Sequence, residues 1–133
     1  MAERRFGTAH WPVEIKLKKA ERALEIAFDD GKRFRLAAEY LRVESPSAEV
    51  QGHGPSQRQI VPGRRDVAIE ALEPVGNYAL RILFDDGHDT GIFTWSYLYE
   101  LGAEEGEKWS AYLAALEARG LSRDAHRGSK RGG

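Results

Sequence analysis

The sequence predicts an α+β fold, with an antiparallel sheet built from two pseudo-repeated units, each a β-hairpin followed by a short helix, packed against C-terminal helices. Three observations predict it. The first is an internal repeat: Ala23-Leu24-Glu25-Ile26-Ala27-Phe28-Asp29-Asp30-Gly31 aligns with Ala79-Leu80-Arg81-Ile82-Leu83-Phe84-Asp85-Asp86-Gly87. With one extra residue in the second copy, Tyr40-Leu41 also matches Tyr97-Leu98. Two copies are too few for a solenoid, which needs about three or more, but they suit a pseudo-symmetric domain whose two hairpins share one sheet. The second observation is apolar alternation on both sides of each Asp-Asp-Gly, the period of a half-buried strand. The third is a stripe at Trp109, Tyr112, Leu113 and Leu116, spaced i, i+3, i+4, i+7 as on one face of a helix.

The elements follow in order. Residues 1–11 read as a loose lead-in, and Pro12 opens a strand in which Val13, Ile15 and Leu17 alternate with Glu14, Lys16 and Lys18. Leu24, Ile26 and Phe28 form a second strand, Asp29-Asp30-Gly31-Lys32 a turn, and Phe34 and Leu36 the return. Gly supplies positive φ there and Asp bonds the local backbone. Residues 37–42 suit one or two helical turns. The stretch 44–66 carries Pro46, Pro55, Pro62 and several glycines but few large apolar residues. A loop that long within a compact domain tends to be functional or mobile. Val67, Ile69 and Ala71 resume ordered structure, Pro74-Val75-Gly76-Asn77 turns, and Tyr78, Leu80, Ile82 and Phe84 alternate up to the second Asp-Asp-Gly. Ile92-Phe93 begins the return. Thr94 suits the cap of a helix carrying Trp95, Leu98 and Tyr99 and stopping at Gly102, and a second helix spans about 104–119, with Glu104, Glu105 and Glu107 early and Gly120 closing it. The domain so bounded is 12–120, and 121–133 reads as a disordered basic tail.

Composition removes several function classes. The chain has 133 residues, 20 Lys+Arg against 21 Asp+Glu, a net charge of -1 and no cysteine. That length suits one domain with its own core. Without cysteine there is no thiol catalysis, disulfide framework, Cys-ligated zinc or iron–sulfur cluster. The balanced charge argues against a dedicated nucleic-acid binder. No apolar run approaches the ~20 residues of a membrane span, and the charged N-terminus lacks the apolar stretch of a secretory signal. The expected location is the cytoplasm.

Candidate chemistry is sparse. Asp29-Asp30 and Asp85-Asp86 precede Gly at hairpin apices and read as turn residues rather than a metal or acid–base pair. His88 follows the second turn, where the first copy has Lys32. At a hairpin tip it is expected to be solvated or locally bonded, but a neutral imidazole there could also ligate a metal. His53, in the long loop, is its candidate companion, with Asp86 or Asp89 nearby. His10 and His126 fall in the terminal segments. Tyr40, Trp95, Tyr97 and Tyr99 read mainly as core, with Tyr97 or Tyr99 left to face a partner or ligand. Asp86 joins Trp95, Tyr97 and Tyr99 as a partner- or ligand-binding candidate. Arg58, Arg64, Arg65, Arg123, Arg127, Lys130 and Arg131 read as solvated. No Gly-x-Ser-x-Gly elbow, phosphate loop, dinucleotide fingerprint or His-x-Asp/Glu pair occurs, so no catalytic residue is assigned.

Two long joint matches carry a family resemblance. Glu73-Pro74-Val75-Gly76-Asn77-Tyr78-Ala79 and Phe84-Asp85-Asp86-Gly87-His88-Asp89-Thr90-Gly91-Ile92-Phe93-Thr94-Trp95-Ser96-Tyr97-Leu98 resemble the gamma-butyrobetaine hydroxylase-like N-terminal domain in its short bacterial stand-alone form. The similarity runs from about Pro12 to Gly102 and includes Pro12-Val13-Glu14-Ile15 and the segment from Tyr40 to Val50. In the hydroxylases such a domain precedes an iron and 2-oxoglutarate oxygenase domain, which this sequence lacks. The resemblance implies a zinc-binding, dimerising module whose Cys cluster falls where this chain has Val43-Glu44-Ser45-Pro46-Ser47, and whose zinc-ligating His falls at His88. The His is kept and the Cys ligands are not. A similar domain attached to Mrp-type P-loop ATPases points toward iron–sulfur assembly. The expectation is therefore a small non-catalytic accessory module, linked to iron or iron–sulfur metabolism through a protein partner, with a homodimer left open. No resident cofactor is expected. The alternative is a metal-binding protein or metal-dependent enzyme using His88 and His53.

Overall fold

The computed structural model describes residues 10–47, 50 and 59–124. Its elements are β1 (Pro12–Lys18), a 3-10 turn (Lys19–Glu21), β2 (Ala23–Phe28), β3 (Arg33–Ala37), α1 (Ala38–Val43), β4 (Ile69–Val75), β5 (Ala79–Phe84), β6 (Ile92–Thr94), α2 (Trp95–Ala103) and α3 (Glu105–Ala118). Each copy of the repeat is thus a three-stranded antiparallel meander leading straight into a helix. The strands form two sheets, ordered β1-β2-β3 and β4-β5-β6. The α+β class and the duplicated hairpin unit are as the sequence indicates, but the single shared sheet is not. The reason lies in the side chains. Leu24, Ile26, Phe28 and Leu36 from one copy and Leu80, Ile82, Phe84 and Phe93 from the other all enter one core cluster. Both apolar rows are buried through their faces, so neither meander needs the other's edge.

The two Asp-Asp-Gly turns are built alike. The Phe28 N–H donates to the Lys32 carbonyl at 2.9 Å and the Phe84 N–H to the His88 carbonyl at 3.0 Å. Gly31 and Gly87 have φ of +90° and +91°, a region costly for any side chain. Asp30 accepts the Lys32 N–H at 2.9 Å and Asp86 accepts the His88 N–H at 3.0 Å. This is the local bonding for which Asp is favoured in turns.

The two copies are tied to each other reciprocally. The Tyr40 hydroxyl in α1 donates to the Leu101 carbonyl in α2 at 2.7 Å. Its counterpart, Tyr97 in α2, donates to the Glu44 carbonyl after α1 at 2.5 Å. Thr94 caps α2 by accepting the Tyr97 N–H at 3.1 Å, as its position suggests.

Three local expectations change. A register shift between Pro12 and Glu14 in β1 leaves Val13 outside, 65% exposed. On α3, Trp109, Tyr112 and Leu116 face the fold but Leu113 is 39% exposed; three large side chains already fill that face. Arg123, read as a solvated tail residue, clamps the buried Glu39 carboxylate through Nε at 2.8 Å and Nη2 at 2.7 Å, with its guanidinium 5.2 Å above the Trp109 ring. The segment beyond α3 also pairs with the chain before β4, through Gly63 N–H to Ser122 O and Arg65 N–H to Arg123 O, both at 2.9 Å.

Candidate functional site

The two hairpin apices differ in chemistry although their backbones match. At the first, the Tyr99 hydroxyl from α2 donates to Asp30 at 2.6 Å. His10 stacks on Tyr99 with centroids 3.5 Å apart, and Phe28 and Phe34 meet the Tyr99 ring edge-on. This apex is an aromatic cluster. At the second, Arg42 from α1 occupies the place that Tyr99 holds in the repeat. Its Nε donates to Asp86 Oδ2 at 2.8 Å, and Arg64 Nε lies 2.7 Å from the same oxygen. Each helix therefore clasps the turn of the other copy, once through a phenol and once through a guanidinium.

His88 lies at the centre of the second apex. It is 6% exposed rather than solvated at a tip. Its Nε2 is 2.9 Å from Ser45 Oγ and 3.4 Å from Ser47 Oγ, and the Ser47 N–H donates to Ser45 Oγ at 3.3 Å. Both serines are buried. Gly91 makes room for them. It stands beside Ile82 as Phe34 stands beside Ile26, and a methyl on it would run into Ser45 Oγ and the Phe93 ring. In the first copy that place holds Phe34 itself, packed onto Gly102. The repeat thus substitutes a polar nest for an aromatic plug.

The charges are fixed by their neighbours. Burial pushes the Asp86 carboxyl up, but the His88 N–H, the Arg42 hydrogen bond and the charges of Arg42 and Arg64 outweigh it, and the group sits below its ordinary value. At the first apex the Tyr99 hydroxyl, the Lys32 N–H and nearby positive charge lower Asp30 as well.

The remaining sequence candidates have defined places. Trp95 is buried and its Nε1 donates to the Asn77 carbonyl at 2.9 Å. The Tyr97 and Tyr99 hydroxyls end on Glu44 and Asp30, as above. His53, Arg58, His126, Arg127, Lys130 and Arg131 lie outside the described residues. Arg64, read as solvated, instead joins the Asp86 cluster. Ser45 and Ser47 entered the sequence reading only as residues standing where the family has Cys. The repeat signals their importance in one way: Gly91 breaks the apolar spacing of the second return strand where the first copy has Phe34.

The zinc that the resemblance implies can be tested against this donor set. Ser45, Ser47 and His88 do converge, but they offer one imidazole and two neutral hydroxyls. Structural zinc takes thiolate, imidazole and carboxylate ligands. Asp86, the nearby carboxylate, is held between two guanidinium groups. Among the described residues no group of three or more His, Asp or Glu side chains is placed to hold an ion. The described residues do not fit a structural zinc.

The outer faces of the two sheets also differ. On the first, Glu14, Lys16, Glu25, Arg33 and Arg35 pair with one another and with Glu21 and line a shallow depression of about 260 Å³. On the second, the register puts Ala71, Val75, Leu83 and Ile92 outward around the Glu73–Arg81 pair. Ile92 is 42% exposed there. A separate cleft of about 430 Å³ lies between Pro62–Arg64 and Gly120–Asp124.

Fold and site together define a small pseudo-symmetric α+β domain whose polar centre ties its own hairpins. The chain belongs to the gamma-butyrobetaine hydroxylase-like N-terminal family, whose model matches residues 15–99. Two similar proteins have NMR solution structures. One is 47% identical, with a TM-score of 0.75 over 86% of this chain and 90% of the other. The second is 45% identical, with a TM-score of 0.76 over 94% and 92%. A crystal structure from Acidithiobacillus ferrooxidans, of a protein with unknown function in the DUF971 family, is 44% identical, with a TM-score of 0.59 over 70% of this chain and 93% of that one. No curated protein matches the chain. Among the described residues no helix is long and apolar enough to cross a membrane.

Proposed function

We propose that this chain is a non-catalytic accessory module that works by protein–protein contact in the cytoplasm. The observation that carries this reading is the asymmetry of the sheet faces. On the first, ion pairs run across β1, β2 and β3, whereas the second sets Ala71, Val75, Leu83 and Ile92 around the Glu73–Arg81 pair. Apolar surface rimmed by polar groups favours association. At the polar centre, His88 bonds two serines and Asp86 is held by two arginines, which favours a structural role for both over acid–base work. Family membership adds the finer part of the proposal: a partner in iron or iron–sulfur metabolism, since similar domains accompany an iron oxygenase and an iron–sulfur P-loop ATPase.

The test is affinity purification from native lysate with the wild-type chain and with Ile92→Asp. The reading expects one stoichiometric partner carrying iron or an iron–sulfur cluster, lost with the variant while the variant keeps the wild-type circular dichroism spectrum. A partner without iron chemistry overturns the finer part. No specific partner, or one retained by Ile92→Asp, overturns the assignment of the surface.

A further inference from the structure

We propose that Ser45, Ser47 and His88 form a metal-independent latch, joining the segment after α1 to the second hairpin by hydrogen bonds alone. The latch occupies the place where the family resemblance implies a zinc. It does not depend on whether the chain acts through a partner.

Geometry supplies the first support. Two side chains from one segment reach the same imidazole nitrogen, at 2.9 and 3.4 Å, across 43 and 41 residues of sequence. Neighbouring ligands around a tetrahedral ion with bonds of roughly 2.0–2.3 Å stand about 3.3–3.8 Å apart; the Ser47 contact is near that spacing, and the Ser45 contact is closed to hydrogen-bond distance. The three side chains meet at one point, but the chemistry a metal requires is absent. A serine hydroxyl remains protonated near neutral pH and brings no negative charge to a cation, unlike a thiolate.

Electrostatics supplies the second. Arg42 and Arg64 converge on Asp86 Oδ2, and Asp86 Oδ1 accepts the His88 N–H. The carboxylate nearest the imidazole is thus engaged with two fixed positive charges, which also oppose a divalent cation in the same pocket. Packing supplies the third. Ser45 is fully buried against Gly91, so the hydroxyl fills its space without an ion. A hydrogen-bonded pair in such a site tethers two segments as a metal would, with less free energy.

The test uses the full chain. The wild type is expected to carry well under one zinc per chain after dialysis, with a thermal midpoint that neither EDTA nor added zinc moves. One zinc per chain, lost in His88→Ala, overturns the proposal. In EDTA-containing buffer, Ser45→Ala and Ser47→Ala are each expected to lower the midpoint by about 3–6 °C; midpoints equal to wild type overturn the latch. Should His88→Ala fail to fold, the serine variants and the wild-type zinc content still decide. The double variant S45C/S47C supplies the missing thiolates. It is expected to bind cobalt(II) with a thiolate charge-transfer band absent from wild type, and to gain thermal stability from zinc. A double variant that binds neither metal overturns the claim that thiolates at these two positions are enough to admit the ion against the charges of Arg42 and Arg64.

Discussion

At the scale of single residues, Asp86 and Glu39 show how a short chain uses its carboxylates to hold segments together. The Asp86 carboxyl lies below its ordinary value of 3.8, because hydrogen bonds and two guanidinium charges outweigh burial. A carboxyl depressed in the folded state stabilises fully above its unfolded pKa, and that contribution disappears as pH falls through the folded value. The stability difference between wild type and Asp86→Asn, measured by urea unfolding, should therefore be constant from neutral pH down to about pH 5 and shrink below pH 4. A difference that grows with acid would contradict the assignment. Glu39 is 6% exposed and gripped at both oxygens by Arg123. Arg123→Ala leaves that charge buried without its clamp and should cost about 2 kcal/mol, read from the same unfolding curves. Neither pairing could be read from the sequence. Asp86 reads from the sequence as a turn residue and a binding candidate but not as the partner of Arg42 and Arg64, and Arg123 lies in a segment without core residues, because a long-range ion pair leaves no local pattern.

At the scale of elements, the repeat is held by contacts that cross from one copy to the other. Tyr40 and Tyr97 each bond a carbonyl at the equivalent place in the opposite copy. Tyr40→Phe and Tyr97→Phe should each cost about 1–3 kcal/mol, the penalty for leaving a buried carbonyl unmatched; a negligible loss in both would show that the tie contributes little. The glycines give a contrast between close packing and free space. Gly91→Ala meets Ser45 and Phe93 and should destabilise by about 1–3 kcal/mol, whereas nothing lies near a methyl at Gly106 in α3. Gly106→Ala should be neutral or gain up to about 1 kcal/mol from helix propensity. Thermal melts of both variants check the sign. At this scale the sequence was largely legible. The Asp-Asp-Gly turns, the Thr94 cap, the short helix after β3 and the two terminal helices all follow local rules. Three details escaped it: the outward Val13, set by an irregular register; Pro74 and Val75, which pair with Leu80 and Ala79 in β4 rather than turning; and the exposed Leu113, set by which side chains reach the core first. Periodicity identifies a face but not how much of that face is covered.

At the scale of the whole molecule, the reciprocal ties make the two meanders one unit. The halves share a core through Leu24, Ile26, Leu80 and Ile82, so urea unfolding followed by tryptophan fluorescence and by far-ultraviolet circular dichroism should give one coincident transition. Two separated transitions would mean that the meanders fold independently. The division into two sheets was not legible, because alternation reports one strand's faces and says nothing of which edges meet. The site was legible only in part: His88 and Asp86 were marked as candidates, but their burial and their serine and arginine partners depend on segments far apart in sequence. The proposed function amounts to a division of labour, in which the polar nest holds the fold and the apolar outer face of β4-β5-β6 is left to meet a partner. Hydrogen–deuterium exchange of the chain, alone and with its co-purified partner, tests that division most directly. The account predicts slowed exchange across Ile69–Val75 and Ile92–Thr94, with the charged face of β1-β2-β3 unchanged. Slowing confined to β1-β2-β3, or absent from both sheets, would contradict it.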